Sequence, residues 1–320
     1  SSTTGWSFMA SASNATTDPR TDWETRQAAA RGEKTPISFM GWVRLWTRTI
    51  TLVIVMLLFV VPLYVTRIFT YGSPWPKWYL AIAAWIVGAR VERRGTPLRR
   101  DVFFIANHVS WVDILALAGA SVTAFVAKAE LAKAPLVGWL CSLNRTVFVQ
   151  REDRLRVADQ INALREALMD NWSVTVFPEG TTTDGHSLLP FKSSMLSVLE
   201  PPPPGVLVQP VVLDYGAMAE WIGWIGEEDG LNNFKRVMAR KGTFPVKLFF
   251  LEPFSPIEFR GRKAIAAEAR VRIEEALRET MGHELRPFDH DVAPIRYSKA
   301  KLPPVAAPVD RADPEDPPAS

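Results

Sequence analysis

Residues 101–113 read Asp-Val-Phe-Phe-Ile-Ala-Asn-His-Val-Ser-Trp-Val-Asp. An apolar run of strand length, 102–106, opens directly onto a histidine, and a helical pattern follows over 111–118. Working outward, short apolar runs predict further strands at 91–94, 122–127, 146–149, 173–177, 207–213 and 246–250. Helices are expected at 136–142, 154–169, 192–199 and 263–281, the long ones with apolar residues at three- and four-residue spacing. Strands alternating with helices predict an α/β domain: a mixed sheet flanked by helices, with its ligand site at strand ends.

The same stretch carries the first chemical constellation. Residues i and i+5 of a regular helix lie about 140° apart. His108 is therefore placed in the loop, and Asp113 in the first helical turn, reaching back. Ser110 is positioned to cap that helix, and an early carboxylate suits its positive end. A carboxylate holding one imidazole nitrogen leaves the other to take a proton. Capping alone accounts for Asp113 equally well.

A second constellation is Trp-Ser-Val-Thr-Val-Phe-Pro-Glu-Gly-Thr-Thr-Thr-Asp-Gly at 172–185. A strand breaks at Pro178 into a Gly/Thr-rich turn, a geometry that presents backbone N–H groups to an anion or a carbonyl. Gly180-x4-Gly185 nearly reads as a phosphate loop, but the lysine that would reach the phosphates is absent.

Toward the N-terminus, 50–65 is a run of 16 uncharged residues broken by Pro62. As a helix it covers roughly 24 Å, short of a hydrocarbon core of ~30 Å. A second apolar run, 78–89, follows the turn-rich 71–77. From Pro36 to Arg100 nine Lys/Arg stand against one acid, Glu92, and five of the twelve tryptophans fall there. Basic residues on both sides of the grease favour a helical hairpin dipping into one leaflet, over a single span or a buried core helix. The expected organisation is a disordered leader at 1–35, a membrane hairpin at 36–90, a soluble domain at 91–300 and a Pro-rich acidic tail at 301–320.

The chain of 320 residues, 48% apolar and 22% charged, is long enough for a sizeable core. One cysteine, Cys141, excludes an intrachain disulfide and a cysteine-based zinc site. The four histidines include no pair at metal-ligand spacing, so neither metal nor redox cofactor is expected. The arginines lie beside the hairpin without a groove-reading motif, so no nucleic-acid partner is expected either.

Taken in order, NHVSWVD (107–113), VFVQRED (147–153), VFPEGTTTDG (176–185) and VQPVVL (208–213) resemble the four blocks of the glycerolipid acyltransferase family. The histidine and glutamate blocks stand 71 residues apart (179 − 108). The resemblance spans about 36–286 and implies that family's fold, with acyl transfer from a thioester to a lipid hydroxyl. It makes His108 the general base and Asp113 its orienting partner, with no acyl-enzyme, so Ser110 and Cys141 are not nucleophiles. It implies that Arg151 contacts the acceptor headgroup, with a surface ion pair to Glu152 or Asp153 as the plainer role. Glu179, Gly180, Thr181 and Thr182 fall in the acceptor block. Glu179 either bonds a substrate hydroxyl or locks the loop. Lys192 either assists an anionic group or lies in solvent. The donor implied is acyl carrier protein or acyl-coenzyme A, and the setting is the cytoplasmic face of the bacterial inner membrane, rich in anionic lipid.

Phosphatidic-acid-forming members carry arginine after the FPEGT block, where this chain has Thr182. Threonine forfeits a charged two-pronged grip on phosphate, about 1.5–3 kcal/mol. Together with FKSSM (191–195) and EWIGWIGEEDG (220–230), this looks more like the lyso-ornithine lipid O-acyltransferases, whose acceptor has an ammonium and a carboxylate. Glu227, Glu228 and Asp229 are candidates to meet the ammonium, or form an exposed turn. A 1-acylglycerol-3-phosphate acceptor, hydrolysis, and a non-catalytic lipid-binding role are the rival readings.

Overall fold

The computed structural model describes residues 19–69, 75–128, 147–149, 162 and 173–290. The run Val-Phe-Phe-Ile-Ala forms β2 (Val102–Ala106), buried at every position. Its side chains alternate, Val102, Phe104 and Ala106 to one core and Phe103 and Ile105 to another, as a strand covered on both faces requires. Around it lie β1 (Ala89–Arg94), β3 (Thr123–Lys128), β4 (Val147–Val149), β5 (Ser173–Val176), β6 (Leu207–Asp214) and β7 (Phe244–Phe250). The sheet order is β1-β7-β6-β2-β5-β3-β4. From β6 to β4 all pairs are parallel, whereas β7 runs antiparallel to β6 and β1 pairs with β7 in parallel. The mixed sheet expected from the sequence is present.

One face is covered by α3 (Trp75–Val87), α4 (Val112–Ala120) and α6 (Gly230–Ala239); the other by α7 (Gly261–Met281) and a 3-10 segment, Ser193–Leu199, where an α-helix was expected. A short helix, α5, spans Ala219–Ile222. A Cβ on Gly119 would stand 2.7 Å from the Ala81 Cα, so this glycine allows α3 to seat against α4. The helix expected at 136–142, with Cys141, lies outside the described residues, as does that at 154–169 apart from residue 162.

Two features depart from the sequence reading. The leader carries a helix, α1 (Pro19–Ala30), held by tertiary contacts its polar sequence does not advertise. Arg26 is 2% exposed and donates to the Glu220 and Gly223 carbonyls. The first hairpin arm is α2 (Phe39–Phe69), 31 residues that continue through Pro62. Its Phe39–Pro62 portion, 24 residues, is long and apolar enough to cross a membrane, at about 36 Å by helical rise. Only 6% of its apolar window is buried, which removes the core-helix reading. Arg44 and Arg48 do not face headgroups: they donate to the Ala239, Met238, Arg240 and Gly242 carbonyls at the end of α6, at 2.8–3.1 Å.

Candidate active site

β6, β2 and β5 are adjacent and parallel, so their C-terminal ends share one edge of the sheet, where α/β folds place ligands. His108 follows β2, Glu179 follows β5 and Tyr215 follows β6. Asn107 sets the exit of β2. Its amide donates to the Leu213 carbonyl and accepts from the Leu213 N–H, extending the ladder by one side chain.

Asp113 sits in the first turn of α4 and is fully buried. Its Oδ2 lies 2.7 Å from His108 Nδ1 and accepts the Val109 and Ser110 N–H groups at 2.7 and 3.0 Å. The carboxylate thus folds the loop onto itself and turns His108 with it. With Nδ1 engaged, Nε2 is the nitrogen left for proton transfer. The His108 side chain is 19% exposed. Its ring stacks on Phe177 with centroids 4.1 Å apart and planes 15° apart, and Phe177 is backed by Phe125. Ser110 makes only a weak contact with the start of α4, its Oγ lying 3.4 Å from the Val112 N, and Asp113 braces the loop before the helix without capping it.

The other Asp113 oxygen, Oδ1, accepts from the Tyr215 hydroxyl at 2.5 Å. Burial, then the adjacent Asp113 charge, holds that phenol well above its ordinary value, so it stays a neutral donor. Nothing in the sequence near 215 marks this residue; strand register alone brings it to Asp113.

Glu179 is 1% exposed. Its Oε1 accepts the His108 N–H at 2.8 Å and its Oε2 the Leu189 N–H at 2.9 Å. Of its two expected roles, these bonds perform the second: it locks the loop. Burial pushes its carboxyl up to about 8, with Asp113 adding, against the two N–H bonds and Arg270. The His108 carbonyl in turn receives the Thr183 N–H at 2.8 Å.

The remaining expected residues fall as follows. Gly180 turns the chain at φ +75° and donates its N–H to the Phe177 carbonyl, so that N–H closes a turn and is not a ready oxyanion donor. Thr181 is half-buried. Thr182 is 9% exposed and donates its hydroxyl to the Trp224 carbonyl, so the expected headgroup ligand is bound into the loop. Lys192, half-buried, opens the 3-10 segment with its N–H on the Pro178 carbonyl. Arg151 lies outside the described residues.

The acidic run after Trp224 divides: Glu227 stands exposed in a turn, as one of the two expectations had it, whereas the next two acids are engaged. Glu228 is buried between Arg236, at 2.9 Å, and Arg26, at 3.6 Å, and accepts from Asn232 and Asn233. Asp229 caps α6 on the Asn232 N–H. Both carboxylates serve structure, and the Trp224 N–H braces the site by bonding the Val109 carbonyl at 3.0 Å.

Residues 90–214 match the family described as Acyltransferase. The lyso-ornithine lipid O-acyltransferase of Rhizobium meliloti (strain 1021) is 31% identical over 263 residues, covering 76% of this chain and 88% of that protein. The protein of the same description from Pseudomonas aeruginosa is 34% identical over 212 residues, 63% of this chain and 77% of the relative. The crystal structure of the 1-acyl-sn-glycerophosphate acyltransferase of Thermotoga maritima superposes with a TM-score of 0.52 at 22% identity, over 74% of this chain and 97% of that one, a likeness of fold. The protein is an acyltransferase of lysolipids, and the chain belongs to the glycerolipid acyltransferase family, alongside the lyso-ornithine lipid O-acyltransferases.

Proposed function

We propose that the protein moves a fatty acyl group from an acyl thioester, acyl carrier protein or acyl-coenzyme A, to the hydroxyl of lyso-ornithine lipid. The observation that carries the chemistry is the 2.7 Å contact between His108 Nδ1 and the buried Asp113 carboxylate at the C-terminal edge of the sheet. Nε2 takes the hydroxyl proton as the acceptor oxygen attacks the thioester carbonyl. The C–O bond forms, the C–S bond breaks, and the departing thiolate recovers the proton from the imidazolium. Asp113 holds the ring's orientation and offsets its transient charge. Glu179, Gly180, Thr181, Thr182 and Lys192 frame the acceptor loop, and Arg151 is the cation assigned to the acceptor.

The ornithine acceptor is supported by the relatives above. The exposed apolar face of α2, with Ile54, Leu57, Leu58 and Val61, suits attachment at the cytoplasmic face of the bacterial inner membrane. Acyl transfer by a membrane fraction, with lyso-ornithine lipid and lysophosphatidic acid run side by side, tests both parts. His108→Ala should lower turnover by at least 100-fold and stay with the membrane. Undiminished turnover in that variant removes His108 as base, and product from lysophosphatidic acid alone removes the ornithine acceptor.

A further inference from the structure

A cavity of about 440 Å³ opens between α3, β1 and α4, away from the His108 loop. Its cations are Lys77 and Arg93; Ala81, Val91, Leu115 and Ala120 supply apolar wall. Arg99, exposed and outside the lining, adds its positive charge from nearby and acts on Lys77. Among the described residues none of the three has a carboxylate within ion-pair distance. Glu92, the acid on β1, is taken by the exposed Arg94. Burial, then Arg93 and Arg99, holds the Lys77 ammonium below its ordinary value, so the cluster is unfavourable without an anion.

We propose that this cavity is a headgroup site for an anionic phospholipid, separate from the acceptor site. Lys77 and Arg93 meet the phosphodiester, with Arg99 adding charge from nearby, and the apolar wall takes the glycerol and first methylenes. The proposal rests on the membrane-attached reading above. The occupant is argued from the surroundings. Trp78, Ile82 and Trp85, at helical spacing on α3, are exposed beside the cavity, and the apolar face of α2 stands exposed as well. A lipid whose chains lie along those residues satisfies the charge and the grease together, whereas a soluble anion satisfies only the charge. The site is tied to the catalytic loop by structure: Gly119, which lines it, sits six residues along α4 from Asp113, about 9 Å of rigid helix.

The test uses the full chain in detergent and titrates short-chain phosphatidylglycerol against short-chain phosphatidylcholine, with inorganic phosphate, coenzyme A and acyl carrier protein as further arms. The expected result is at least tenfold preference for phosphatidylglycerol over phosphatidylcholine and over phosphate. Lys77→Gln/Arg93→Gln should lose that preference, and Arg94→Gln should keep it, since successive residues of a strand face opposite ways. Equal binding of the two lipids overturns the proposal, as does a preference that survives the double substitution. Phosphate binding as tight as phosphatidylglycerol makes it a simple anion site. Coenzyme A or carrier protein binding that the double substitution abolishes, without a lipid preference, makes it a donor dock. Acyl transfer measured on the same preparation keeps the readings apart. Transfer without lipid preference overturns only the headgroup site, and preference without transfer overturns only the enzymatic reading.

Discussion

Tyr215→Phe isolates one hydrogen bond of the site. The ring stays, stacked 6.2 Å from Phe244, and only the 2.5 Å bond to Asp113 Oδ1 is lost. Oδ1 has no other partner among the described residues, because both loop N–H groups and the histidine use Oδ2. A hydrogen bond to a charged group contributes about 1.5–3 kcal/mol. In the variant Oδ1 is left without its donor in a fully buried site, and the carboxylate that orients His108 is held on one side only. If a third to a half of the bond reaches the transition state, kcat/KM for acyl transfer falls by about two- to tenfold, at 1.36 kcal/mol per tenfold. Glu179 and Arg270, which also face the loop, are not touched by the substitution. Rates of parent and variant at one fixed pH, with a melting curve of each, read the loss directly. A lower melting temperature with an unchanged kcat/KM would reduce Tyr215 to a packing residue and refute the orienting role.

Three further outcomes follow from the same geometry. Glu179 is held at about 8 against 4.5 for the ordinary carboxyl, so the folded protein keeps a proton the unfolded chain sheds. That contribution is full below about 4.5 and is lost as the pH rises through about 8; thermal melts should fall across that window, and Glu179→Gln should flatten the slope relative to the parent. Thr182→Arg breaks the bond to the Trp224 carbonyl and forces a guanidinium into a site 9% exposed, so a lower melting temperature and an unchanged ornithine-to-phosphate acceptor ratio are expected. A ratio shifted toward phosphate would mean the new side chain reaches the headgroup after all. Gly119→Ala drives a methyl group into the Ala81 backbone and should cost about 1–3 kcal/mol, read as a lower melting temperature and faster proteolysis of the hairpin; unaltered melting would show that α3 shifts freely.

What the sequence disclosed was what is encoded locally. Six of the seven strands carry a short apolar run, β1 (ARVERR) being largely charged, and the His108–Asp113 pair stands five positions apart, within reach of a helical-turn argument. Features set by distant partners stayed hidden. α1 is polar except for Trp23 and its closing alanines, and it is fixed by Arg26 reaching carbonyls nearly 200 residues away. α6 begins at a capping Asp229 inside an acidic run, which reads equally well as a solvated turn. Tyr215 follows an ordinary strand, and its importance comes from β6 pairing beside β2. α2 outruns the uncharged stretch because its first turns bear arginines whose charges are spent on the end of α6.

The threonine at 182 shows how these levels join. From chemistry alone, its exchange for arginine removes a phosphate ligand, and the residue becomes a specificity position. In the folded chain it is one link of a brace. Thr182 holds the Trp224 carbonyl, the Trp224 N–H holds the Val109 carbonyl, and the Val109 N–H is held by Asp113. The segment carrying Trp224 is clamped in turn by Arg26 and Arg236 around Glu228. An arginine at 182 could not occupy the same place without opening that chain of bonds, which ends on Asp113. This position is therefore coupled to the rigidity of the proposed base, and a single substitution there should disturb turnover before it redirects specificity.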